Sequence, residues 1–234
     1  MRAATLFIAL CLAGCATLPP APVPATGPAT AGLAFDLSGE RGAWAEGLPD
    51  PANGRRVTID DPVRIASVSK LVVAIGVMRL VEQGKLELDR DVAGYLGWPL
   101  RNPSFGGRPN TLRQLLSHTS SLRDGDDAYV IPLGSSLQDA LRNPGVWDGT
   151  HGPGQGYFAY SNFNFPVVAS VMEKATGERF DLLMKRLVLG PLNLAACFNW
   201  PTCSNAAIGR AVVLAQDGKA VRDDLGGTPS SCPA

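Results

Sequence analysis

Two short patterns in this chain could carry nucleophilic chemistry. The first is Ser67 and Lys70, within Arg64-Ile65-Ala66-Ser67-Val68-Ser69-Lys70. A gap of three sets both side chains on one face of a helix, with the amine in hydrogen-bond reach of the hydroxyl. A serine hydroxyl is a weak nucleophile until a base takes its proton. An amine can serve where an apolar surround or a neighbour that shares the proton disfavours its charged form. The residues that follow are apolar on nearly every side: Leu71, Val72, Val73, Ile75, Val77, Met78, Leu80 and Val81. That pattern predicts a helix buried all round, closed by Gly84 at its C′ position. Taken alone, the pair also fits an ordinary core helix with a solvated lysine on its first turn. The second pattern is Tyr160-Ser161-Asn162. A phenol near an ammonium ionises more easily and can act as a general base. Asn162 offers a donor and an acceptor, suited to holding a lysine or a substrate amide. Taken alone, Tyr160 also fits a core tyrosine with a satisfied hydroxyl.

The remaining polar candidates read as structural. His118 follows Leu115-Leu116-Ser117, and no neighbouring serine or carboxylate pattern gives it a catalytic role, so it is expected to bond local backbone. His151 sits in a Gly/Pro loop and is assigned no role. With two histidines and no Cys/His cluster, neither a metal site nor a cofactor is expected. Lys plus Arg equals Asp plus Glu, 21 against 21, and no basic run interleaves with aromatics. A nucleic-acid partner is therefore excluded from the expectations. With 45% hydrophobic and 18% charged residues, the 234-residue chain can bury a sizeable globular core.

The first residues read as a targeting segment. Arg2 gives a positive start, and Ala3 to Ala13 is an apolar stretch too short to span a membrane. It ends in Leu12-Ala13-Gly14-Cys15, which resembles the bacterial lipobox. That resemblance implies lipidation of Cys15, a lipoprotein signal over residues 1–14, and anchoring on the periplasmic side of the outer membrane. A plain secretory signal with a stray cysteine is the alternative. Residues 15–31 form a Pro-rich linker, with Pro19, Pro20, Pro22, Pro24 and Pro28, whose composition favours an extended spacer. The globular domain is expected over 32–234. Outside the cytoplasm disulfides persist. Cys197 and Cys203 flank a five-residue loop that a disulfide could close, and Cys203 with Cys232 is the competing pairing.

Along the domain, Leu33–Leu37 and Arg41–Gly47 read as two strands around Ser38-Gly39-Glu40, and Arg55–Ile59 as a third. Asp60-Asp61-Pro62 is a turn towards the Ser67 helix. Thr111-Leu112-Arg113-Gln114 has capping-box form and starts a helix. Further helices are predicted from Ser136 to Arg142, around Val167, Val168, Val171 and Met172 up to Gly177, and from Arg179 to Leu189. From Ala207 the chain reads as strand or loop, with a turn at Asp217-Gly218 and no element signal over Gly226–Pro229.

Together these stretches resemble the serine β-lactamase and penicillin-binding-protein superfamily, in its class C-like branch of β-lactamases, D,D-peptidases and esterases. The resemblance rests on Arg64–Lys70, Leu80–Asp89, Leu115–Ser120 and Phe158–Asn162, in that order and at fitting distances. It implies an α+β fold, an antiparallel sheet with flanking helices plus a helical subdomain. It implies that Ser67 is the acylated nucleophile, Lys70 the amine sharing its proton, Tyr160 the base and Asn162 the substrate and lysine positioner. The Ser67 backbone N–H would form half of an oxyanion hole. The expected partner is a small-molecule or peptide acyl donor: a β-lactam, a D-Ala peptide or a small ester. Two departures stand out. Ser121 occupies a position where the branch often has glycine. No K/H-[ST]-G triplet, the branch's third motif on a C-terminal strand, follows Asn162. This implies missing C-terminal strands: a partial reading frame, a fragment, or a protein with a separate second half, folding poorly and weakly active by itself. The competing function is a non-catalytic lipoprotein that binds cell-wall peptide or a partner protein; a plain esterase is a third.

Overall fold

The structure is a computed structural model that describes residues 29–48, 54–125, 131, 134–216 and 219–221. The signal and Cys15, the linker up to residue 28, Asp217-Gly218, Gly226–Pro229 and Cys232 lie outside the described residues. The chain divides into two compact units, one ending at Ile59 and the other starting at Asp60.

The first unit holds an antiparallel hairpin, β1 (Thr30–Asp36) and β2 (Gly39–Glu46). β1 begins inside the stretch assigned to the linker. Asp36 makes the turn: its carboxylate accepts from Ser38 N at 2.8 Å, from Ser38 Oγ at 2.6 Å and from Arg41 Nε at 2.5 Å. Gly32 pairs with Trp44, and a Cβ at Gly32 would meet the indole at 2.5 Å. Only glycine leaves room for that ring. The third strand expected at Arg55–Ile59 does not form; apart from Val57 N donating to Gly47 O at 2.9 Å, the segment is irregular. Alternating side chains make a strand only where a neighbouring strand offers its free edge.

The second unit is mainly helical. It comprises α1 (Ser69–Glu82), α2 (Ala93–Leu96), α3 (Leu112–Leu116), α4 (Leu137–Ala140), α5 (Asn164–Thr176), α6 (Phe180–Met184), α7 (Asn205–Arg210) and a second hairpin of β3 (Leu214–Gln216) and β4 (Lys219–Val221). α6 runs on into a π-helical turn over Lys185–Leu189, ending at Gly190. The Thr111–Gln114 capping box is complete in both directions. Gly84 and Gly177 take positive φ just past the ends of α1 and α5, as the stop signals require. Of the stretch from Ala207 expected as strand or loop, residues 207–210 are instead the end of α7, capped by Ser204 accepting from Ala207 N at 3.1 Å, and loop and β3 follow.

The core lies where α1, α3, α5 and α6 meet. Val77, Leu80, Leu112, Leu115, Val167, Val168, Val171, Met172, Leu183 and Met184 are fully buried there. Gly76 lets α1 approach this layer: a Cβ there would sit 2.7 Å from Met184 Sδ and 3.2 Å from Met172 Cε. The expectation that α1 is buried all round is wrong. One stripe (Val73, Gly76, Val77, Leu80) faces the core, while Val68, Leu71, Ile75 and Met78 form an exposed apolar stripe. Composition cannot tell a helix covered on every face from one whose second apolar face is open.

Candidate active site

The chain enters the site through a tight turn. Ala66 takes φ +43°, a left-handed conformation that costs a residue with a Cβ roughly 1–2 kcal/mol. A single 3-10 turn, Ala66–Val68, follows and leads into α1. So Ser67 stands one turn ahead of the α-helix, on an exposed surface, and Lys70 is half-buried behind it. The end of α7 anchors this approach. Arg210 Nε donates to buried Asp61 at 3.1 Å, Arg210 also bonds Asp60 O, and Val212 N donates to Pro62 O at 2.9 Å.

Tyr160 and Asn162 arrive from the loop before α5, more than ninety residues later. The structure brings all four predicted residues together. Lys70 Nζ donates to Ser67 Oγ at 2.9 Å and to Asn162 Oδ1 at 3.2 Å. Ser67 Oγ lies 2.7 Å from the Tyr160 hydroxyl, which donates to Asn162 Oδ1 at 3.4 Å. One proton arrangement satisfies the whole set: Lys70 donates to Ser67, Ser67 to the phenol oxygen, and the phenol to Asn162. The serine proton then already points at the candidate base. The Tyr160 phenol is held below its ordinary value, first by the Lys70 amine beside it and next by the Ser67 hydroxyl. The Lys70 nitrogen also sits 5.0 Å from the Tyr160 ring centre and 5.4 Å from that of Phe165.

A second layer holds the Tyr160 loop. The His118 ring stacks on Tyr160, centroids 4.6 Å apart at 25°. Its carbonyl accepts from Ala159 N at 3.0 Å, and its Nδ1 accepts from Ser161 N at 3.2 Å and pairs with Asn164 Nδ2 at 2.9 Å. An accepting Nδ1 requires the neutral ring. Burial, and then the Lys70 charge, push the His118 pKa down and keep it neutral. His118 is thus structural, as expected, but its partners lie 41–46 residues away rather than next door. His151 stacks on Tyr157 and bonds Thr150 and Asp148. Ser121 takes φ +71°, which explains the glycine preference at its position; its hydroxyl accepts from buried Asn102 Nδ2 at 2.5 Å.

Asp124 escaped the sequence reading. It accepts from Ser161 Oγ at 2.9 Å, from Asn162 N at 2.6 Å and from Asn162 Nδ2 at 2.7 Å. No local motif marks it, because all three contacts span 37 or 38 residues.

A disulfide joins Cys197 to Cys203. It helps line a mainly apolar cavity of about 780 Å³ that borders the Ser67 turn, with Ile65, Ala66, Ser69, Val72, Phe198 and Trp200 among its walls. That volume falls in the range of small-molecule sites. Among the described residues, no group of three His, Cys, Asp or Glu could hold a metal ion.

Comparison with known proteins fits this geometry. Esterase EstB of Burkholderia gladioli is 34% identical over 167 residues, 65% of this chain and 42% of the esterase. The D-alanyl-D-alanine-carboxypeptidase/endopeptidase AmpH of Escherichia coli K12 is 30% identical over 151 residues, 62% of this chain and 38% of that protein. The chain therefore spans about two fifths of the length of these relatives. The class C β-lactamase of Rhodobacter sphaeroides superposes with a TM-score of 0.65 at 22% identity, over 83% of this chain and 52% of that one. It shares the serine β-lactamase fold. The Beta-lactamase family model matches residues 26–230, so the chain belongs to the β-lactamase family.

Proposed function

We propose that this chain is a serine hydrolase that forms an acyl-enzyme on Ser67. The observation that carries this reading is the exposed Ser67 hydroxyl, bonded at once to Lys70 at 2.9 Å and Tyr160 at 2.7 Å. Ser67 Oγ attacks the carbonyl carbon of the acyl donor as its proton passes to the Tyr160 oxygen. Lys70 stays in contact with the serine oxygen and keeps the phenol acidic enough to exist in part as phenolate. The tetrahedral intermediate collapses, the Ser67 ester forms, and the departing amine or alkoxide takes the proton back. Water, activated by the same base, then hydrolyses the ester and frees Ser67. Asn162 holds Lys70 on one side and can meet the donor on the other.

The acyl donor is a β-lactam, a D-Ala peptide or a small ester. The resemblance to EstB supports the ester, and that to AmpH the peptide. The lipobox-like Leu12-Ala13-Gly14-Cys15 supports lipid attachment at Cys15 and a periplasmic, outer-membrane address. The mass of the mature N-terminus from a membrane fraction tests this.

The direct test is intact-mass spectrometry of the folded chain before and after a fluorophosphonate and a penicillin, beside Ser67→Ala. The expected result is an adduct on the native chain and none on the variant. A folded chain that takes up neither reagent, or an adduct that survives Ser67→Ala, would overturn the assignment. The preferred reagent separates ester from penicillin-recognising chemistry.

A further inference from the structure

We propose that Asp124 is a positioning residue that sets which end of the Asn162 amide faces Lys70. The inference deepens the Ser67 reading and rests on it for its catalytic consequence.

An asparagine side chain has an acceptor end and a donor end of nearly the same shape. Only the acceptor end can take a hydrogen bond from the Lys70 ammonium, and only that end can receive one from the Tyr160 phenol. The contacts to Lys70 at 3.2 Å and Tyr160 at 3.4 Å both use Oδ1. The Tyr160 contact leaves the orientation open, because a phenol can donate or accept, while the Lys70 contact requires Oδ1. The orientation is fixed again from behind. Asn162 Nδ2 meets Asp124 Oδ2 at 2.7 Å, and a carboxylate oxygen accepts only. Its other oxygen takes the Asn162 backbone N–H at 2.6 Å and the Ser161 hydroxyl at 2.9 Å, so the loop and the amide are gripped by one group. Bonds to a carboxylate are among the stronger hydrogen bonds.

Asp124 is itself held. Arg123 N donates to Val146 O at 2.8 Å and Asp148 N to Ser121 O at 2.9 Å, pairing the segment before Asp124 with that around Trp147. Arg123 forms an ion pair with Asp148. The charged groups facing the Tyr160 phenol are Lys70 and Asp124, while the neutral His118 ring lies on its face. The Ser67 hydroxyl is bonded to Lys70 and Tyr160 and not to Asp124, so the effect of Asp124 runs through Asn162.

The test compares the native chain with Asp124→Asn. Asparagine at 124 has one acceptor oxygen, which the Asn162 N–H and the Ser161 hydroxyl together claim. Its NH2 then faces the NH2 of Asn162, which must turn and present a donor to Lys70. Lys70 withdraws, and Tyr160 loses the neighbour that favours its phenolate. The readout is the Tyr160 titration by NMR of the protein labelled at tyrosine Cζ, with the resonance identified by Tyr160→Phe among four tyrosines. The expected result is a Tyr160 titration moved up towards the ordinary tyrosine value of about 10. Fluorophosphonate acylation should slow at least tenfold. A carboxylate that acted only as a nearby charge predicts the opposite sign, since its removal alone favours the phenolate. A titration that stays in place or moves down therefore overturns the proposal. The titration needs no turnover, so it remains decisive even where Ser67 proves unreactive. Should Asp124→Asn fail to fold, the pair Asp124→Asn with Asn162→Asp again sets a donor against an acceptor. It is expected to melt above the single variant, and a pair that melts no higher overturns the proposal.

Discussion

At the scale of single residues, the proposed chemistry depends on one proton moving along a short path. Tyr160 acts as a base only when ionised, and a nearby cation favours the ionised form. The phenolate fraction, and with it the acylation rate, should rise with pH and level off below the ordinary tyrosine value near 10. Lys70→Met should move that inflection up towards 10 and slow acylation by roughly 10²–10⁴-fold, the range of a lost acid–base contribution. Rates of fluorophosphonate labelling between pH 6 and 10.5 would show this; an unmoved inflection would mean that Lys70 does not tune the phenol. Ser67, Lys70, Tyr160 and Asn162 were legible in the sequence through the family resemblance, because a three-residue gap and a Y-x-N pattern are local signals that each, alone, also fit a structural role. Asp124 and the stacking role of His118 were not. Their partners lie dozens of residues away, and no periodicity reports a contact of that range.

At the scale of elements, legibility followed the range of the interaction that makes each element. The capping box at Thr111, the N-cap at Ser136 and the glycine stops at Gly84 and Gly177 are written within four or five residues, and they formed where expected. Arg55–Ile59 has the residues of a strand but takes an irregular backbone. The open face of α1 depends on what packs there, which the helix's own sequence does not encode. Its closed face is more constrained. Gly76→Ala would press a Cβ onto the flexible ends of Met184 and Met172, which can shift, so the clash and the gain in helix propensity of about 1 kcal/mol should nearly cancel. Gly76→Val adds two methyl groups and a β-branch at the same place. It should destabilise the fold by about 1–3 kcal/mol, the usual cost of overpacking. Urea melts of the two variants would separate these cases; equal midpoints would mean that α1 is free to move off α5 and α6.

At the scale of the whole molecule, the described residues hold a closed helical core beside surfaces left open. Among the described residues the two sheets have two strands each, so one edge of each strand has no neighbouring strand. Leu33, Phe35 and Leu37 on the hairpin, and Val68, Leu71, Ile75 and Met78 along α1, are exposed. Such surface favours self-association. Leu71→Gln with Met78→Gln should reduce dye binding and aggregation in light scattering while shifting stability little, within about 0.5–1 kcal/mol for exposed positions. A large loss of stability would mean that this stripe is covered in solution. The distance along the chain between the two halves of the site has a consequence in time. Ser67 meets Tyr160 across 93 residues, and Lys70 meets Asn162 across 92. A newly made chain therefore carries an ordinary, unreactive serine until the loop before α5 has been synthesised and has closed onto α1. Contacts of such range are costly to close and form late. On the proposed reading of Ser67, reactivity would thus switch on as one of the last events of folding.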